Sequence, residues 1–224
     1  MLNWLRWLPE NVSTYGADVD GVIAIIWYTT VAWFFLTFGT LAVFLVRYRR
    51  RPGRAAAHVR GERWREAAWV VIPVAVVLVL DLWLDFRGAP VWAKVKIDRP
   101  AADLTIQVTG RQFSWDVLYP GPDGRFGTAD DRPFVDELHV PVNRPVRVIL
   151  KSKDVVHSFF LPNLRLKQDV VPGRAIEGWF QATKPGRYEL PCAMLCGLGH
   201  SGMKAYLHVH PEAEYERWVA EQWS

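Results

Sequence analysis

Two stretches of the chain lack the polar–apolar alternation that marks a half-buried element. From Gly21 to Val46 the sequence reads GVIAIIWYTTVAWFFLTFGTLAVFLV, with no Asp, Glu, Lys or Arg. A helix of about 20 apolar residues spans the hydrocarbon core of a bilayer, so this segment is long enough to cross one. From Ala67 to Phe86 the sequence reads AAWVVIPVAVVLVLDLWLDF, and Asp81 limits its uncharged part to 14 residues. Taken alone, that run fits a buried core helix too. Paired with the first segment, it reads better as a second transmembrane helix.

After residue 100 the period changes to two. In LTIQVTG, Leu104, Ile106 and Val108 alternate with polar residues, the pattern of a half-buried strand, and PVRVILKS repeats it. EGWFQATKPGRYEL reads as two strands joined at the turn Lys184-Pro185-Gly186, and KAYLHVH as a last short strand. Short strands with regular turns predict an all-β sandwich or barrel. PEAEYERWVAEQWS opens on a proline suited to a first helical position and carries Glu in its first turn, which predicts a surface helix. The pattern divides the chain into an N-terminal outer segment (1–20), a helix hairpin (21–87) with its loop at 47–65, a linker (88–103), a β domain (104–212) and a C-terminal helix (213–224).

Charge sets the orientation. The loop RYRRRPGRAAAHVRGERWR carries eight arginines and one Glu. The positive-inside rule places it in the cytoplasm, with both termini and the β domain on the outer, periplasmic side. Residues 88–224 hold 17 Lys/Arg against 16 Asp/Glu, so the net charge of +4 comes largely from the loop. Nucleic-acid binding therefore has no support. The N-terminal MLNWLRWLPENVSTYGADVD is broken by Pro9 and Glu10 and fits the pattern of a signal peptide poorly. It reads as an interfacial segment with Trp4 and Trp7 near the headgroups, or as a flexible tail. The loop PGPDGRFGTADDRP (120–133) offers Asp123, Asp130 and Asp131 to a hard cation such as calcium, but without EF-hand spacing. A solvated turn is the better reading. With Asp136 and Glu137 it forms an acidic region that could serve docking.

The densest chemistry lies in PCAMLCGLGHSGM (191–203), which holds both cysteines of the chain, Cys192 and Cys196, followed by His200 and Met203. Outside the membrane, two cysteines suggest a disulfide first. A Cys-x3-Cys bridge closes only a tiny loop and restrains the unfolded chain little, and it leaves His200 and Met203 unexplained. Thiolate, imidazole and thioether together suit copper. Zinc would take Cys and His, but gains nothing from Met. Two cysteines point to two copper ions bridged by both sulfurs. A second histidine is then needed, and His157, at a strand end before Phe159, Phe160 and Leu161, is the candidate. A lone histidine there would read as a satisfied core residue; beside the cysteine cluster it reads as a ligand.

Four stretches, DVVHSFFLPNLRLKQDVVPGR (154–174), PCAMLCGLGHSGM (191–203), GRQFSWDVLYPG (110–121) and EAAWVVIP (66–73), resemble subunit II of the haem–copper cytochrome c oxidases. The resemblance runs from about residue 10 to the end of the chain. It implies a two-helix transmembrane hairpin followed by a cupredoxin-like Greek-key barrel or sandwich carrying the dinuclear copper centre CuA. By position, Cys192 and Cys196 would bridge the ions, His157 and His200 would each bind one, Met203 would be a weak axial ligand, and the Met194 carbonyl would supply the other axial contact. The resemblance also implies the role. A periplasmic cytochrome c would donate electrons that pass to haem in subunit I, where the complex reduces oxygen to water and pumps protons. The oxygen-reducing centre lies outside this chain.

Three departures from the family pattern matter. Met194 stands where the family commonly has a Glu that helps bind magnesium at the subunit I interface, which puts the magnesium contact in doubt. Phe113 replaces the first of two tryptophans, the point where electrons arrive, and leaves Trp115. No further cysteines are present for a covalent haem. Glu66, at the cytoplasmic end of the second helix, matches a residue at the mouth of a proton pathway, or is an interfacial charge. Asp81 and Asp85 face either a partner or the interface. The small subunit of a CuA-type nitric oxide reductase, a membrane-anchored copper carrier and a structural subunit with an empty cupredoxin domain are the alternatives, and the intact ligand set argues against the last.

Overall fold

The computed structural model describes residues 8–55, 58 and 60–224. Trp4 and Trp7 lie outside the described residues. Two long helices come first, α1 (Gly16–Arg47) and α2 (Trp64–Trp92). At 1.5 Å per residue both exceed the ~30 Å hydrocarbon thickness of a bilayer. Neither helix buries its apolar surface: Phe35, Leu45, Trp69 and Phe86 are all exposed, and the most apolar window of each helix has no buried residue. Apolar side chains bare on every face need lipid or a partner protein to cover them. Asp81 and Asp85 are exposed on α2. Helix α2 runs to Trp92 and continues as a π-helical turn over Ala93–Ile97, so helical structure extends into the stretch expected to be a linker. Lys96 anchors that turn to the β domain, donating to the Lys167 carbonyl (3.1 Å) and to Gln168 Oε1 (2.9 Å).

The β domain contains β1 (Leu104–Arg111), β2 (Ser114–Tyr119), β3 (Arg132–Val135), β4 (Glu137–Pro141), β5 (Val146–Ser152), β6 (His157–Leu161), β7 (Leu166–Val170), β8 (Ile176–Phe180), β9 (Gly186–Pro191) and β10 (Lys204–His210), followed by helix α3 (Glu212–Gln222). One sheet has the order β3-β2-β1-β5-β8, a second β4-β10-β9, and β6 pairs with β7. The alternation read in the sequence sets the faces. Ile106 and Val108 of β1 sit beside Val148 and Leu150 of β5, all fully buried. Trp115, Val117 and Tyr119 of β2 join them, and Ala205, Leu207 and Val209 of β10 supply inward residues of the second sheet. The result is the expected β-sandwich of cupredoxin type. β1 and β5 run parallel, as do β4 and β10, so each pair is linked by a crossover rather than a hairpin. The strands on either side of Lys184-Pro185-Gly186 do not pair with each other: β8 joins β5 and β9 joins β10. Pro133, which cannot donate to a ladder, lies on the edge strand β3.

The stretch before α1 is tied to this domain. The Val12 amide donates to the Asn163 carbonyl (2.9 Å), and Val12 accepts from the Thr183 amide (2.8 Å). Tyr15 is fully buried, with its ring edge-on to Trp179 (5.2 Å). In the loop 120–133 the carboxylates close turns. Asp123 accepts from the Arg125 amide (2.8 Å), Asp131 from the Gly127 amide (2.7 Å) and Asp130 from the Thr128 hydroxyl (2.6 Å).

Three imidazoles share the outer face of the second sheet. His139 is stacked between Trp218 and His208, with ring centroids 4.6 Å from each, and its Nδ1 lies 2.9 Å from His210 Nε2. Trp218 belongs to α3, so the stack docks that helix. Burial, followed by the neighbouring His208 and His210, lowers the His139 pKa to about 4 against the opposing pull of Glu137. Burial also lowers His208, against the pull of Glu137, and His210, where Glu214 opposes it. Unfolded imidazoles protonate near pH 6.5. The folded pKa values are lower, so this contribution is complete above about pH 6.5 and is lost as pH falls toward about 4. The melting temperature of the full-length chain in detergent is therefore expected to drop between pH 7 and pH 4.5, and His139→Phe to shrink that drop, as circular dichroism would measure.

Candidate metal centre

The site is built from two segments that neighbouring strands bring together. His157 opens β6, and the loop 192–203 joins β9 to β10. A bridge between Phe159 and Cys192 links the segments, as does the Ala193 amide donating to the Ser158 carbonyl (3.0 Å). The loop is closed at its base by the Cys192 amide donating to the Met203 carbonyl (3.0 Å).

The donor atoms converge. Cys192 Sγ and Cys196 Sγ are 3.9 Å apart, and both cysteines are free. A disulfide would need about 2.05 Å. Two sulfurs that each bond one metal ion at about 2.3 Å can be separated by up to ~4.6 Å, so 3.9 Å lets both reach the same ion. His157 Nδ1 lies 3.9 Å from Cys192 Sγ, and His200 Nδ1 lies 3.5 Å from Cys196 Sγ. Met203 Sδ is 3.7 Å from Cys196 Sγ, and the Met194 carbonyl oxygen is 3.3 Å from Cys192 Sγ. The ligand atoms of His157, Cys192 and Cys196 all lie within 4.8 Å of one another. All six groups expected from the sequence are thus in one place. His157, Cys192, Cys196 and Met203 are buried, and His200 and Met194 are half-buried. A water-poor pocket of soft and borderline donors fits copper.

Electrostatics support the fit. Burial, and then the adjacent Cys192, pushes the Cys196 thiol up to about 11. The pocket therefore resists holding two thiolates on its own, and a cation between the sulfurs reverses that preference. The His157 ring is oriented by Asp154, whose Oδ1 is 2.7 Å from Nε2. An Nε2–H donated to the carboxylate leaves the Nδ1 lone pair facing the sulfurs. Partial desolvation of Asp154 opposes ionisation, but hydrogen bonds from His157 and from the Gln112 and Val155 amides hold its carboxyl below the usual range. Beneath the imidazole, Gly110 leaves room for the ring: a Cβ there would lie 2.9 Å from His157 Cδ2 and 3.2 Å from Trp115 Cζ3.

The other expected residues separate. Phe113 is at the surface, 39% exposed, and its ring packs on the loop at Gly197 and Gly199. Trp115 is fully buried and lies edge-on to His157 and Phe159, with centroids 5.9 Å from each. Only Phe113 of the pair can touch a docked protein. Glu66 lies in the first turn of α2, and its carboxylate accepts the Gly61 amide at 2.8 Å. Met194 offers a carbonyl but no carboxylate, so its side chain is no ligand for a hard ion such as magnesium. Sequence reasoning assigned no role to Asp154, Gln112, Gly110 or Gly199. The Asp-x2-His spacing signals Asp154 and the glycine before His200 signals Gly199, whereas nothing local marks Gln112 or Gly110.

The packing under His157 leads to a direct expectation. Gly110→Ala should lower the stability of the full-length chain by roughly 1–3 kcal/mol, the usual cost of overpacking, read from its denaturant midpoint. An unchanged midpoint would mean that the ring has room to move.

Comparison with known proteins gives the family of the chain. The model of the cytochrome c oxidase subunit II periplasmic domain matches residues 104–209. The chain is 29% identical over 238 residues to the alternative cytochrome c oxidase subunit 2 of Bradyrhizobium diazoefficiens, covering 96% of this chain and 83% of that one. It is 32% identical over 195 residues to the probable cytochrome c oxidase subunit 2 of Rickettsia bellii, covering 81% and 71%. Among solved structures, the periplasmic domain of subunit II of the cytochrome oxidase of Bradyrhizobium japonicum is 35% identical, with 57% of this chain and all of that one covered and a TM-score of 0.49. The chain belongs to the cytochrome c oxidase subunit II family.

Proposed function

We propose that the chain is the electron-relay subunit of a respiratory cytochrome c oxidase, with a dinuclear copper centre held by Cys192, Cys196, His157, His200, Met203 and the Met194 carbonyl. One observation carries the reading: two free thiols 3.9 Å apart, flanked by imidazole nitrogens and a thioether at 3.5–3.9 Å. A copper pair bound there would supply a one-electron couple between a periplasmic cytochrome c and haem in subunit I. The chain's own residues do the rest. The two sulfurs would hold the copper pair, the Asp154 carboxylate orients the His157 ring, and the buried core behind them excludes water, so these side chains need move little when the charge changes.

The outer rim of the site suits a protein donor. Leu198 and Leu195 stand fully out from the ligand loop, and Phe113, Val155 and Val156 are also exposed. We assign the donor's contact to this apolar rim, with Phe113 at the surface and Trp115 as the buried ring beside His157. The exposed helices α1 and α2 are assigned to lipid and subunit I, with the Arg-rich loop in the cytoplasm and the β domain outside. On that topology Glu66 is at the cytoplasmic end, where it would serve proton uptake into the pumping complex.

Copper titration of the full-length chain tests the centre. Two copper ions per chain are expected for wild type, and loss of the pair for Cys196→Ser; one ion per chain, or unchanged uptake by the variant, would contradict it. The rim has its own test in the assembled oxidase. Removing a central apolar anchor costs on the order of 1–2 kcal/mol, or about five- to thirtyfold in affinity. Leu198→Lys should raise the KM for reduced cytochrome c by that factor while leaving the copper spectrum unchanged.

A further inference from the structure

The turn between β1 and β2 holds Gln112 and Phe113, and neither residue offers an atom to the metal site. Each nevertheless grips the segments that do. The Gln112 backbone amide donates to Asp154 Oδ2 at 2.7 Å, and the other oxygen of that carboxylate is 2.7 Å from His157 Nε2. The Gln112 side-chain amide donates through Nε2 to the Cys196 carbonyl at 2.5 Å. The Phe113 ring lies against the loop so closely that a Cβ at Gly199 would fall 2.5 Å from Cδ2 and 2.7 Å from Cγ. A Cβ at Gly197, whose φ is +135°, would fall 2.8 Å from Gln112 Nε2.

This grip reaches a part of the loop whose own backbone bonds are local: the His200, Gly202 and Met203 amides donate to the Gly197, Gly199 and His200 carbonyls at 3.0–3.1 Å, closing short turns without tying them to the rest of the domain. The bonds from β6 and from Met203 secure Cys192 and Ala193 at the base. The outer half contains two glycines, Gly197 and Gly199, and its Leu195 and Leu198 point away from the protein. Glycines lose the most conformational freedom on ordering, so such a stretch needs external contacts to stay in one shape. The turn supplies them, and in doing so couples the outer half to His157 through Asp154.

We propose that Gln112 is a positioning residue that, with Phe113 as its apolar partner, clamps Cys196 and His157 into a single geometry before any metal arrives. Its redox consequence rests on the copper reading above; its effect on the metal-free loop does not. The test uses the full-length chain in detergent. Gln112→Met keeps the length of the side chain and removes the donor. Losing one such bond should open the metal-free loop more often and speed alkylation of the buried thiols about five- to tenfold. The melting temperature should stay close to that of wild type. The copper-loaded variant should show a shifted midpoint potential, which a merely structural residue would leave in place. A double-mutant comparison provides a second arm: Gly199→Ala should speed alkylation in the wild-type background and have little effect once Phe113→Ala has removed the ring. Should Gln112→Met not fold, this arm still decides. Alkylation rates and potential unchanged in Gln112→Met, or equal effects of Gly199→Ala in both backgrounds, would overturn the clamp. Failure of the wild-type chain to take up a copper pair would instead count against the copper reading, leaving the alkylation results to judge the clamp.

Discussion

Two thiols held side by side where water is scarce resist ionising together until a positive charge lies between them. That constraint governs this protein. Cys192 and Cys196 are buried, 3.9 Å apart and unbonded to each other, and burial with mutual repulsion keeps the Cys196 proton in place. A cation removes the penalty, and the surrounding donors decide which cation. Imidazole nitrogens and a thioether favour copper over a hard ion, and a pair of sulfurs within reach of the same metal favours sharing.

The rest of the β domain makes that arrangement durable. The inward faces of β1, β2 and β5 pack into a rigid wall of Ile106, Val108, Trp115, Val148 and Leu150, with none of these side chains exposed. Gly110 lets the His157 ring lie close to the wall, and Asp154 fixes its tautomer. The same β1–β2 region that builds the wall sends a turn over the top of the ligand loop. Scaffold and site are therefore not separable, and a change in the turn is felt at both ligand segments. Helices α1 and α2 pose the opposite problem: they bury almost nothing within the chain and depend on what surrounds them.

Much of this was legible in the residues. The uncharged run Gly21–Val46 announced a spanning helix, and the alternation of Leu104, Ile106 and Val108 announced which side chains face the core. The candidate donors of the loop were legible because Cys192, Cys196, His200 and Met203 cluster within twelve residues, PCAMLCGLGHSGM less its leading proline, and few other arrangements explain them together. What stayed hidden depended on long-range pairing. Nothing local says that β1 pairs parallel with β5, or that the strands around Lys184-Pro185-Gly186 belong to different sheets. The stack of His139, His208 and His210 forms only because β4 and β10 lie side by side with His208 opposite His139. Trp115 and Phe113 look equivalent in GRQFSW, but strand alternation turns one into the core and the turn leaves the other at the surface.

Electron paramagnetic resonance of the oxidised, copper-loaded full-length chain tests the shared centre most directly. Hyperfine splitting from two equivalent copper nuclei, coupled to one unpaired electron, is the result expected. A mononuclear copper pattern, or silence from a chain in which Cys192 and Cys196 are joined to each other, would contradict it.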